Sequence, residues 1–198
     1  MKIELLKPCH SFSSNSYLIS SKNEYAVIDP SSKYDADMIQ GKLKYILLTH
    51  SHFDHILELD EWAKSGAEVV IFEAEASFLG DPMKNCYRYF DGSNNGYFGT
   101  VTPAFDKQEF TLGDESFTLV NLPGHTIGSS AYLFDGCAFV GDTVFAGGGF
   151  GRCDLPSGNM LSLFDSIEKV KNFPDDCVLY CGHGESTTVR QYKLDTNR

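Results

Sequence analysis

Between Thr49 and His55 the chain reads Thr-His-Ser-His-Phe-Asp-His, three imidazoles and a carboxylate in the spacing HxHxDH. In an extended segment residues two apart face the same side, so His50 and His52 can reach one cation while a turn at Asp54 and His55 aims the next two groups at a neighbour. Further along stand His125 in Leu-Pro-Gly-His-Thr, Asp142 in Gly-Asp-Thr and His183 in Gly-His-Gly. Glycine beside a ligand lets the backbone turn sharply and leaves room for cation and substrate. Taken singly, each of these three reads as a turn or surface residue. Behind HxHxDH, and in this order, they complete five imidazoles and two carboxylates, enough for two cations sharing one bridging carboxylate. His10, the sixth histidine, belongs to no such pattern.

Groups so far apart in sequence can meet only at the ends of packed elements. Residues 2–6, 16–20 and 25–29 read as strands of a meander opening an antiparallel sheet, and 35–42 as a short helix. The run Tyr-Ile-Leu-Leu at 45–48 is too short for a buried helix and is expected to be a central strand ending at the histidine motif. Ile56, Leu57, Leu59, Trp62 and Ala63 recur at helical spacing over 55–64, with Gly66 as the stop. Glu68–Phe72 returns as a strand, 73–79 as a short helix, and 85–100 as a loop. Tyr87, Tyr89, Phe90, Tyr97 and Phe98 in that loop could cover a substrate or simply pack. The second half offers strands over Glu109–Leu112, 116–121, Ser130–Phe134, 137–140 and 177–180, with a helix over Met160–Lys171. Strands, helix, strands, helix without a linker point to two packed sheets with helices outside, and to a single domain over 1–198.

The composition narrows the partners. With 198 residues the chain can bury one sizeable core, and its net charge of −11 opposes binding to phosphate backbones, which leaves nucleic acid a poor partner. There is no apolar stretch of signal-peptide or membrane-spanning kind, so a cytoplasmic location and no membrane partner are expected. The six cysteines form no CxxC pair and read as reduced, mostly buried thiols.

The chain resembles the metallo-β-lactamase fold superfamily and, within it, the short glyoxalase II-like (hydroxyacylglutathione hydrolase-like) metallohydrolases. The resemblance is carried by NSYLI at 15–19, VID at 27–29, HxHxDH, PGHT, GDTVF, FGRCDLPSG, and CGHGE followed by two threonines. It implies an α/β (α+β) fold, a four-layer αββα sandwich with the metals at one edge of the sheets. It also implies one ion on His50, His52 and His125, a second on Asp54, His55 and His183, and Asp142 bridging. Zinc heads the candidates, although His/Asp sites accept iron and manganese as well. His55 together with Asp142 sets the chain apart from the commonest true β-lactamases of the superfamily.

The expected activity is hydrolysis of a small-molecule thioester or ester, such as a glutathione or other thiol ester, by metal-bound hydroxide. Two ions about 3.5–4 Å apart make hydroxide available near neutral pH. Asp54 is the expected catalytic residue, orienting the nucleophile while ligating the second metal. Asp29 reads either as the carboxylate that orients a ligand imidazole or as the start of an Asp-Pro turn. Arg152 reads either as a fork for the substrate's carboxylate or as an ion-pair partner of Asp154. Cys153 is not needed as a nucleophile. The expectation is a chain without the C-terminal helical domain that helps full-length glyoxalase II hold glutathione, since 15 residues follow His183 in this sequence. Other readings remain: a mononuclear iron persulfide dioxygenase using the positions His50, His125 and Asp142, a lactonase or phosphodiesterase of the same fold, and a non-catalytic metal-binding module.

Overall fold

The computed structural model describes residues 1–197. Six strands form a first sheet in chain order: β1 (Lys2–Leu5), β2 (Tyr17–Ser21), β3 (Glu24–Ile28), β4 (Lys42–Leu47), β5 (Glu68–Phe72) and β6 (Thr102–Ala104). The first three strands pair antiparallel, whereas β3 to β6 run parallel, so the sheet is mixed rather than the expected antiparallel meander. The second sheet uses β7 (Glu109–Leu112), β8 (Glu115–Asn121), β9 (Ser130–Phe134), β10 (Cys137–Gly141), β13 (Val178–Cys181) and β14 (Thr187–Thr188). Its order is β14-β13-β10-β9-β8-β7, and a small hairpin of β11 (Val144–Phe145) and β12 (Gly149–Phe150) lies apart.

Alternation along the strands explains the layers. Tyr17, Ile19, Ile28 and Leu47 of the first sheet meet Phe110, Phe117, Tyr132 and Phe139 of the second in a core between the sheets. The intervening residues Leu18, Val27, Ile46 and Leu48 face the other way, onto Leu59 and Trp62 of helix α1 (Leu59–Ala63). On the outside of the second sheet, Ala138, Val140 and Leu179 meet Leu163, Ile167 and Val170 of α3 (Met160–Lys171), with Val189 and Tyr192 of α4 (Val189–Thr196). Because successive strand residues point to opposite faces, a strand buried on both faces reads as continuously apolar, which is why the sequence near 45–48 shows no alternation. The result is the expected αββα sandwich.

The connections differ from expectation in length. The segment at 35–42 forms only a 3-10 turn, Ala36–Met38, capped by the Asp35 carboxylate accepting from the Asp37 N–H at 3.0 Å. The helix expected over 55–64 is confined to α1, since the residues before it form the 3-10 turn Phe53–His55. That over 73–79 reduces to the turn Glu73–Glu75. The loop at 85–100 holds one helical turn, α2 (Tyr87–Phe90). The Met160–Lys171 helix stands as expected, and the Asn159 side chain caps it by accepting from the Ser162 N–H at 2.9 Å.

All six cysteines are unpaired, four of them buried. Among the described residues no helix is long and apolar enough to cross a membrane. The carboxyl ends of β3, β4, β5, β8, β10 and β13 lead directly into Asp29, the histidine motif, Glu75, His125, Asp142 and His183 respectively.

Candidate metal centre

The seven side chains singled out by their spacing come together where the carboxyl ends of strands from both sheets meet. His125 Nε2 lies 3.2 Å from His50 Nε2 and 2.9 Å from His52 Nδ1. Zn–N bonds of 2.0–2.1 Å in a tetrahedron put ligand nitrogens about 3.3 Å apart, so these three imidazoles stand at the spacing one cation asks for. Beside them, His183 Nε2 is 3.1 Å from Asp54 Oδ2, and His55 Nε2 is 3.9 Å from the same oxygen. Asp142 stands between the two groups: Oδ1 is 3.3 Å from His55 Nε2, and Oδ2 is 3.6 Å from both His125 Nε2 and His183 Nε2. The sets His50/His52/His125, His50/His55/Asp142 and Asp54/His55/His183 each bring their ligand atoms within 4.8 Å of one another.

The donor set fits cations for a second reason. His55 Nε2 and Asp142 Oδ1 are buried and have no hydrogen-bond partner, although they face each other across the middle of the cluster. Buried polar atoms are rarely left in that state unless an ion or water completes them.

Electrostatics keeps the ligands in usable form. Burial, followed by the neighbouring imidazoles, pushes His50 well below the ordinary histidine pKa and His52 down to about 3, leaving lone pairs free. Burial would raise Asp142 and Asp54, but His55 and the other imidazoles outweigh it and hold both below the usual carboxylate range. His55 runs the other way: burial lowers it, and Asp29, Asp142 and Asp54 together lift it well above its ordinary value.

Further residues set the orientation of these ligands. Asp29, buried and at a positive φ of 49°, places Oδ2 2.8 Å from His55 Nδ1. Its Oδ1 accepts from the Thr49 N–H at 2.8 Å, and Oδ2 from the Thr49 hydroxyl at 2.7 Å. The same hydroxyl oxygen lies 3.1 Å from His50 Nδ1, so one carboxylate governs two imidazoles, directly and through Thr49. His125 Nδ1 donates to the Arg152 carbonyl at 2.6 Å. Asn15 and Tyr17 hold the loop of His183: the Asn15 amide donates to the carbonyls of Cys181 and Gly184, and the Tyr17 hydroxyl to Cys181. Gly182 is needed for close approach, because a Cβ there would run into Asp142 Oδ1 and His55 Cε1.

Arg152 turns its guanidinium to Asp154 in a two-point ion pair of 2.7 and 2.8 Å, at the surface. Of the loop aromatics, Phe90 stacks on Phe53 of the motif at 4.3 Å and Tyr87 lies 5.6 Å from it, whereas Tyr97 is buried in the outer core and Phe98 is exposed. His10 stays outside the cluster and stacks on Phe12. With Cys9 and Glu58 it forms a separate group of ligand atoms within 4.8 Å of one another, in which the Cys9 thiol donates to the Ser31 carbonyl at 2.9 Å. Thr49, Asn15, Tyr17 and Glu75 carry no signal of type or spacing, and of these only Asn15 and Tyr17 lie in one of the stretches quoted for the resemblance, NSYLI at 15–19.

The family model of the metallo-beta-lactamase superfamily matches residues 11–183. The chain belongs to this superfamily. Within the metallo-beta-lactamase superfamily it is similar to the hydroxyacylglutathione hydrolase GloC of Haemophilus influenzae, at 31% identity over 98% of this chain and 95% of that protein. The crystal structure of the BLEG-1 B3 metallo-beta-lactamase superposes with a TM-score of 0.86 at 28% identity, covering 96% of this chain and 95% of that one. That of ETHE1 from Myxococcus xanthus gives 0.77 at 26% identity, over 100% of this chain and 84% of that one. Superfamily membership and the His/Asp cluster together make the chain a metal-dependent hydrolase that uses divalent cations.

Proposed function

We propose that the chain is a dinuclear hydrolase, with zinc as the leading metal, that cleaves a small-molecule thioester or ester of the hydroxyacylglutathione type. The observation that carries this reading is the pair of ligand groups meeting at Asp142, at the separations given above. His50, His52 and His125 would hold the first ion and Asp54, His55 and His183 the second, with Asp142 placed to serve either group. The single-domain reading of the chain is supported by the cluster drawing its side chains from both halves of the sequence.

When bound, two such ions supply a nucleophile from water at neutral pH and a Lewis acid for the carbonyl oxygen. The protein's own part is positional. Asp29 holds the His55 Nδ1 proton and leaves Nε2 facing inward, and the Arg152 carbonyl does the same for His125. Asp54, held below the usual carboxylate range with Oδ2 3.1 Å from His183 Nε2, would ligate the second ion and orient water there. Cleavage forms a C–O bond and breaks the C–S bond, and sulfur leaves with the electron pair. A thiol with a pKa of about 8.5 departs as thiolate without a dedicated acid, which fits a cluster with no further histidine. Arg152 binds a substrate carboxylate by exchanging it for Asp154, the group it holds at the surface.

The similarity to GloC supports the thioester class. Hydrolysis of S-lactoylglutathione under anaerobic conditions by the zinc-loaded chain tests it, with the rate expected to fall to background in His55→Ala. Oxygen uptake with glutathione persulfide, retained in His55→Ala, would instead establish the one-iron dioxygenase reading on His50, His125 and Asp142.

A further inference from the structure

Glu75 lies in an acidic stretch, Glu-Ala-Glu, that looks like solvated surface, yet it has no exposed area at all. Glutamate is almost never fully buried unless it is paired. Its partners are three donors and no cation: Oε2 accepts from the Ser51 N–H at 3.1 Å and from the Ser51 hydroxyl, and Oε1 accepts from the Gly128 N–H at 3.0 Å. Ser51 sits between His50 and His52, and Gly128 follows His125 by one short turn. The first belongs to the loop after β4 of one sheet, the second to the loop before β9 of the other.

We infer that Glu75 is a positioning residue for the first metal position: its carboxylate ties the His50–His52 loop to the His125 loop and presets the spacing of the three imidazoles. The inference rests on the reading that these histidines hold a cation. His125 Nε2 stands 3.2 Å from His50 Nε2 and 2.9 Å from His52 Nδ1, and holding imidazoles from two loops turned toward one point takes more than the rings themselves. A clamp made during folding removes the cost of gathering them when the ion arrives. A second observation comes from the other side of the contact. A Cβ on Gly128 would run into Glu75 Cγ, so the small residue and the carboxylate fit each other. An amide in place of the carboxylate offers an acceptor oxygen on one side and an NH2 group on the other. With a backbone N–H on both sides, Gln leaves one of the two N–H groups facing a donor.

The test compares wild type, Glu75→Gln, Gly128→Ala and Ser51→Ala by zinc competition against a chromophoric chelator, with apo and zinc-loaded melting curves. Loss of an outer partner of a metal ligand costs about 10–100-fold in affinity. Glu75→Gln and Gly128→Ala are expected to weaken one of two bound zinc ions by that factor, and Ser51→Ala, which removes only the hydroxyl donor, by several-fold. The loaded form should lose more melting temperature than the apo form. A purely structural Glu75 predicts equal losses in apo and loaded forms and unchanged zinc affinity, and that result would overturn the inference even if the Gln variant folds poorly, since Ser51→Ala reports on the same clamp. A wild-type chain that binds no zinc would overturn the cation reading itself, and this inference with it.

Discussion

Asp29 Oδ2 lies 2.8 Å from His55 Nδ1, and this contact decides which nitrogen of His55 is left to face the cluster. The same carboxylate reaches His50 through the Thr49 hydroxyl, so ligands assigned to two different ions share one anchor.

Asp29→Asn therefore weakens both positions. Asn tolerates the left-handed backbone that Asp29 adopts at φ 49°, so the fold is kept while the negative charge beside His55 Nδ1 is lost. Zinc affinity is expected to fall about 10–100-fold, read by chelator competition. Unchanged affinity at both positions would show that the imidazoles are oriented by something else.

The cluster's pH behaviour follows from His55. Its pKa is raised in the folded apo chain by Asp29, Asp142 and Asp54 against the opposing effect of burial. The stability this contributes is fully present below the ordinary histidine value and is lost as pH rises through the raised one. Cation binding at Nε2 must expel that proton, so loading tightens as pH rises. Calorimetric titration of zinc in buffers of different ionisation enthalpy should report net proton release near neutral pH. Zinc binding without proton release would place the proton elsewhere.

At Gly182 the expected effect is steric. Ala there pushes a methyl group toward Asp142 Oδ1 and His55 Cε1. Overpacking of this kind costs about 1–3 kcal/mol, and zinc stoichiometry should fall because the Asp142 carboxylate is displaced. Thermal melting with and without zinc, together with metal analysis, checks both.

How much of this was legible in the sequence depends on what each residue does. His50, His52, Asp54 and His55 announce themselves because ligand type and spacing are local properties, and His125, Asp142 and His183 because glycine stands beside each. Glu75, Thr49 and Asn15 act through hydrogen bonds to partners distant in the chain, such as Gly128 for Glu75, and no local pattern encodes such a pairing. The same holds for elements. Helix α3 shows a clear apolar period, whereas α4 buries only Val189 and Tyr192 and leaves no such period in the sequence. The helical spacing over 55–64 overstates α1 because Ile56 packs like a helical residue while its backbone still belongs to the turn that aims Asp54 and His55.

Away from the cluster, Trp62 carries the outer layer of the first sheet. It is fully buried, and its indole N–H donates to the Ser32 carbonyl at 2.7 Å. Trp62→Ala is expected to cost about 3–5 kcal/mol of stability in urea unfolding while leaving turnover per folded molecule close to wild type. A large drop in turnover with intact stability would tie α1 to the chemistry directly.

The most direct test of the two-ion account is elemental analysis of the purified chain beside its Asp142→Ala and His55→Ala variants. Two divalent ions per wild-type chain, falling toward one in both variants together with thioester hydrolysis, is the predicted result. A single ion per wild-type chain, retained when His55 is removed, would contradict it.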